Sequence, residues 1–210
     1  MALKRGRLLL LYPLFMVVCA TAFNAVGVAS DYKGWFEGSA EVLLSPFLDD
    51  YYFGWKGYTI QNREGEFDYT HDSVRSTQLA ETGKRTLAFS VMALVANVAG
   101  VLLIFGIAWP KDVARRARFR KISLGFIAFA CVFSFVSSVG FISLFASEFD
   151  DDLVPGIDHW WPSQAWFLVF FAFVFDFFGF SGVMGCGYWD RDFDDQQTVK
   201  RNLSAPVSPT

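Results

Sequence analysis

Charge is scarce in this chain, and so are histidine, cysteine and proline: 19% of its 210 residues are Asp, Glu, Lys or Arg, with 2 His, 3 Cys and 7 Pro. The histidines, His71 and His159, have no second His or Cys at a ligand spacing, so no metal site is supported. No nucleophile, base and orienter can be assembled and no glycine-rich phosphate loop occurs, which argues against catalysis and against a bound cofactor. Cys19, Cys131 and Cys186 all fall inside apolar runs, so the polar segments have no disulfide framework. A small apolar role or acylation remains open for Cys186.

What the chain has in excess is apolar surface: 53% hydrophobic residues, with 25 Phe and 7 Trp. These residues are clumped into four runs, 8–30, 86–109, 122–146 and 164–187, each nearly free of charge. Such lengths match the roughly 20 residues a helix needs to cross about 30 Å of hydrocarbon, and they exclude a soluble globular fold. Backbone groups in lipid must bond within their own segment or in a closed barrel, and the runs lack the period-two alternation of barrel strands. The expected fold is an all-α membrane protein, a four-transmembrane-helix bundle with a small extracellular antiparallel β-sheet.

Basic residues set the orientation. Lys4, Arg5 and Arg7 precede the first run, and Lys111, Arg115, Arg116, Arg118, Arg120 and Lys121 lie between the second and third. Both groups belong in the cytoplasm by the positive-inside rule, which makes 1–7 the cytoplasmic N-terminus and 110–121 a basic cytoplasmic loop. Arg115, Arg116, Arg118 and Arg120 there face anionic headgroups, so the basic stretch speaks for lipid and not for nucleic acid. Loop 147–163 carries Glu148, Asp150, Asp151, Asp152 and Asp158 with no Lys or Arg, as an extracellular loop 2 should. These acids read as a solvated charge run; calcium is the alternative, although consecutive acids lack the alternate spacing of a calcium loop. Residues 188–210 then form a cytoplasmic tail whose composition reads as disordered. Its Asn202-Leu203-Ser204 sequon lies on the wrong side for glycosylation, and Ser208-Pro209 is open to phosphorylation. Lys4 to Arg7 followed by Leu8 to Val18 also fits a cleaved signal, but the apolar run continues through Ala29 and favours a retained helix.

Trp109, Trp160, Trp161, Trp166, Tyr188 and Trp189 mark the ends of the spans. Ala96 and Gly100, then Ala130, Ser134 and Ser138, then Gly179, Gly182 and Gly185, mark faces where helices can approach closely. Residues 31–85 form extracellular loop 1, too aromatic for a plain linker. Tyr51 to Gln61 and Glu66 to Thr70 have strand composition around Asn62-Arg63-Glu64-Gly65, a type I turn sequence, which predicts a hairpin with Tyr58 near Tyr69. Trp35 to Leu44 is a further expected strand, broken at Ser45-Pro46.

This layout resembles the claudin and peripheral myelin protein superfamily of tetraspans. Trp35 stands where that family has a tryptophan soon after its first span. Phe53-Gly54-Trp55 is a rearranged form of its Gly-Leu-Trp, and Arg85 matches its basic residue at the loop–helix junction before the second span. Tyr58 is three residues after Trp55 and the loop holds no cysteine, so the family's loop disulfide is absent. The resemblance implies lateral polymerisation and a paracellular barrier or pore, and the ten acids against six bases of the first loop would then favour cations.

The expected function is non-enzymatic: contacts with other membrane proteins or with itself, across a cell junction by adhesion or beside a channel as an auxiliary subunit, from the plasma membrane with both termini cytoplasmic. Partner-contact candidates are Trp35, Tyr51, Tyr52, Phe53, Trp55, Trp160 and Trp161, since exposed aromatics serve as binding anchors; packing on the sheet and lipid interface is the alternative. Asp176, the only acid or base within a span, is a site hypothesis by default. It serves either a polar lock with Asn97 or a partner's helix, or else the path of a transporter or channel subunit.

Overall fold

The computed structural model describes residues 9–41, 48–62, 65–70, 77–108, 113–149 and 157–203. Helix α1 (Leu11–Ala29) leads into strands β1 (Phe36–Glu41), β2 (Leu48–Phe53), β3 (Gly57–Asn62) and β4 (Gly65–Thr70). Helices α2 (Thr77–Ala108) and α3 (Val113–Phe149), strand β5 (Ile157–Pro162) and helix α4 (Gln164–Leu203) complete the chain. All four helices are long and apolar enough to cross a membrane, as expected, and the protein is an integral membrane protein. The strands form one antiparallel sheet in the order β4-β3-β2-β1-β5 at the end where α1 and α3 finish and α2 and α4 begin, called here the sheet end.

Several boundaries differ from the sequence reading for a common reason: an apolar run measures what lies in hydrocarbon, whereas a helix continues until its backbone is interrupted. Helix α2 starts at Thr77 and not at 86, α3 spans Val113–Phe149 and not 122–146, and α4 runs on to Leu203. The tail expected to be disordered is therefore helical over 188–203, a stretch with neither Gly nor Pro. Arg115, Arg116, Arg118, Arg120 and Lys121, expected in a loop, lie on the first turns of α3. The signals at 204–210 lie outside the described residues.

In the sheet, the stretch Tyr51 to Gln61 is itself a hairpin. Gly54, Trp55 and Lys56 interrupt it, with Gly54 N–H donating to Gly57 O at 2.8 Å. The break has a physical cause at Gly54: a Cβ there would lie 2.2 Å from Asp31 O, so only glycine lets the turn sit on the chain leaving α1. Tyr58 does pair with Tyr69, their rings stacked 5.3 Å apart. The Asn62 to Gly65 turn closes between β3 and β4, with Gly65 at φ +143°; Arg63 and Glu64 lie outside the described residues, and the turn type with them. Strand β1 begins one residue after Trp35, and 42–44 of the expected stretch Trp35 to Leu44 lie outside the described residues. The loop expected over 147–163 supplies β5, which pairs with β1 and ends at Pro162, a residue that sheets admit at an edge.

The bundle is apolar outside, and its interior combines small and polar side chains with an aliphatic cluster of Val17, Ile104, Ile107, Ile127 and Val183. Phe15, Val95, Leu102, Phe129, Val132 and Phe177 are all more than half exposed, as lipid-facing side chains are. Glycine permits the closest approaches. A Cβ on Gly27 of α1 would fall 2.3 Å from Val169 Cγ2 of α4, and one on Gly179 2.7 Å from Val17 Cγ2, whereas at Gly185 nothing lies within 4 Å. The expected small-residue stripe on α4 thus packs at Gly179 and Gly182 but not at Gly185. Gly27→Ala is expected to destabilise the purified protein by about 1 to 3 kcal/mol through overpacking, while Gly185→Ala stays within about 0.5 kcal/mol of wild type. Thermal unfolding in detergent measures both, and equal effects would contradict this packing.

Candidate functional site

Two polar constructions stand out, one where the sheet meets α1 and one inside the bundle. The last four carbonyls of a helix have no partner within it. In α1 each finds one: Val26 O accepts from Ser30 Oγ at 2.9 Å, and Gly27 O from Trp35 Nε1 at 3.2 Å. Val28 O accepts from Trp55 Nε1 at 3.0 Å, and Ala29 O from Asp31 N–H at 3.1 Å. Two indoles from loop and turn therefore cap a transmembrane helix. Trp35 is fully buried against Phe36, Phe53, Phe141, Ala165 and Val169, in a cluster that joins the sheet to α3 and α4. Ser163 Oγ adds a hydrogen bond to Glu37, and Trp166 Nε1 donates to Ser138 O at 2.9 Å.

This arrangement divides the contact candidates. Trp35 and Phe53 are 0% and 1% exposed, so they belong to the core and drop out of the contact set. A large aromatic next to a turn gives no sign in sequence of which way it faces. Tyr51, Tyr52 and Trp55 are half-buried and Trp161 is 48% exposed. Trp160 sits opposite Gly38 on β5, its side chain outside the described residues. Edge strand β4 adds two exposed aromatics that the sequence reading omits, Phe67 at 43% and Tyr69 at 40%. Lys33 pairs with Glu66 and lies over Tyr52, tying β4 and β2 to the start of the loop. Burial, followed by the nearby Asp50 and Glu37 charges, raises the pKa of Tyr52 above the usual tyrosine value. Arg85 is exposed and pairs with Glu81 one turn away at 3.0 Å, a surface contact within α2. Arg115 and Arg118 are exposed, while Arg116 and Arg120 are half-buried.

Inside the bundle, Asn97 Nδ2 donates to Asp176 Oδ2 at 3.3 Å, joining α2 to α4. Ser134 of α3 lies beside the same carboxyl and shares a hydrogen bond with Asn24 of α1, 3.0 Å between Asn24 Nδ2 and Ser134 Oγ. Each helix thus contributes one wholly buried polar side chain to a common junction. Asp176 makes no ion pair among the described residues, and Asp176 Oδ1 and Asn97 Oδ1 have no hydrogen-bond partner there. Toward the sheet end, Ser90 Oγ meets Ser137 Oγ at 2.7 Å and Ser137 Oγ donates to Thr86 O at 3.3 Å. Asn24 and Ser134 are missing from the sequence-based site, although a lone amide in an apolar run is a legible signal for Asn24. Among the described residues, no three His, Cys, Asp or Glu side chains converge on a point. The three cysteines are free and half-buried.

No protein-family model matches the chain, and no curated protein matches it either. A double-mutant cycle in lipid is expected to give Asn97→Leu and Asp176→Leu a coupling of about 0.6 to 1.7 kcal/mol, the range measured for interhelical hydrogen bonds. Additive losses in reversible unfolding would show that the two side chains do not bond.

Proposed function

We propose that this tetraspan is non-enzymatic and works by protein–protein contact through its sheet end, which faces outward from the plasma membrane while both termini lie in the cytoplasm. Support for that orientation comes from the asymmetry of acidic and basic segments described above. Support for contact comes chiefly from one observation: a sheet anchored in the bundle by Trp35 and Trp55 carries Trp161, Phe67 and Tyr69 exposed at its two edges. Solvated aromatics on a firm base are what binding anchors require, and an open strand edge offers backbone groups besides. The resemblance to the claudin and peripheral myelin protein superfamily supplies the partner class, either copies of this chain at a cell junction or a neighbouring channel or receptor. Arg115, Arg116, Arg118 and Arg120 hold anionic headgroups on the opposite side.

A second reading, a transporter or channel subunit using Asp176, is favoured by the four-helix polar junction. The contact reading is tested with the tagged full chain, by affinity capture in mild detergent and by imaging of cell borders. Combined Phe67→Ser, Tyr69→Ser and Trp161→Ser is expected to lower capture and border enrichment at least about tenfold, since anchor residues each contribute on the order of 2 kcal/mol. Unchanged capture by a folded triple variant would remove the sheet end as the contact surface.

A further inference from the structure

The junction of Asn24, Asn97, Ser134 and Asp176 has an excess of acceptors. Its two unpartnered atoms, Asp176 Oδ1 and Asn97 Oδ1, are both oxygens that can only accept when the acid is ionised, and both side chains are 0% exposed. An acceptor left unbonded in hydrocarbon costs on the order of several kcal/mol, and a bare carboxylate costs more. The place therefore calls for a positive charge. The ligand set sets its size and valence. There is one carboxylate, two amide oxygens and a hydroxyl, all hard oxygen donors, with no His; the Cys131 thiol lies near enough to Asp176 to feel its charge but donates to Phe173 O at 3.8 Å. A divalent ion of the calcium type takes 6 to 8 oxygens and usually several carboxylates, whereas a single carboxylate balances a single charge.

The surroundings give a direction of entry. Between the junction and the sheet end, the face of α2 carries Thr82, Thr86 and Ser90, and α3 carries Ser137 and Ser138, all buried. On the other side α2 continues as Gly100, Ile104 and Ile107. These meet Val17, Ile127 and Val183 in an apolar cluster, and Ser123 lies beyond it toward the far end. Buried hydroxyls line the sheet side of the junction, and aliphatic side chains fill the other.

We propose that Asp176, Asn97, Ser134 and Asn24 bind one small monovalent cation, reached from the sheet end, with sodium as the test ion. A proton on Asp176 is the competing occupant of equal charge. The site gives a ligand to the transport or channel reading and is independent of the contact reading: loss of partner capture with sodium dependence intact would fail only the latter.

The test uses the full chain in nanodiscs, titrated with sodium chloride against choline chloride at constant ionic strength. Thermal unfolding is read alongside labelling of Asp176 by an apolar carbodiimide, which attacks the protonated carboxyl. A saturable rise in Tm is expected, with labelling slowed about tenfold or more once sodium exceeds its Kd by that factor. Asp176→Asn, which keeps the shape and removes the charge, should lose the sodium dependence of Tm. Sodium-independent Tm and labelling would mean that a proton alone fills the place, and would overturn the proposal. So would a sodium-dependent Tm that survives in Asp176→Asn, because the ion would then sit elsewhere. The two wild-type readouts decide the matter even if that variant does not fold.

Discussion

Helix α1 ends with four carbonyls that its own backbone cannot satisfy, and the way they are satisfied organises the sheet end of the molecule. Two of the donors are indoles, from Trp35 just ahead of β1 and Trp55 in the β2–β3 turn. Reaching Gly27 and Val28 obliges the turn to lie on the helix end, where Lys56 N–H bonds Asp31 O at 2.8 Å and Gly54 leaves room for it. Trp35 N–H bonds Phe53 O while its carbonyl accepts from Ser163 N–H, so the same residue joins β2 to the start of α4. A loop disulfide, which typically adds 2 to 4 kcal/mol, has no counterpart in this arrangement. Several hydrogen bonds and an aromatic cluster occupy its place.

The same scarcity of partners shapes the helices. With lipid tails as apolar as leucine, burying Phe gains little, so many Phe and Val side chains face outward, and the interior collects Gly, Ala, Ser, Thr and Asn beside the aliphatic cluster of Val17, Ile104, Ile127 and Val183. Close backbone approach at Gly27 and Gly179 brings the helices near enough for short side chains to meet across them. Asp176 can be tolerated there because Asn97 bonds it and Ser134, itself held by Asn24, lies beside it. Those bonds still leave two acceptors over.

Four spans were legible because hydrocarbon thickness imposes a length on apolar runs, and the Asn97–Asp176 contact because an acid in a span demands a partner. The Tyr58–Tyr69 pairing followed from turn length. Helix ends were not legible, since nothing in a polar stretch such as 188–203 says whether a helix stops at the membrane surface. Strand β5 was hidden because six residues beside an acidic run acquire strand character only from pairing with β1. That Trp35 faced inward depended on the cap of α1, a tertiary fact with no local signature.

The central claim is that sheet and bundle form one unit through the indole caps on α1. Hydrogen exchange of the full chain in nanodiscs tests it directly, comparing wild type with Trp35→Phe combined with Trp55→Phe. The account predicts protected amides in β1 to β3 and in the last turn of α1 in wild type, with protection lost from both together in the variant. A sheet that exchanges freely in wild type, or that keeps its protection without the indoles, would contradict it.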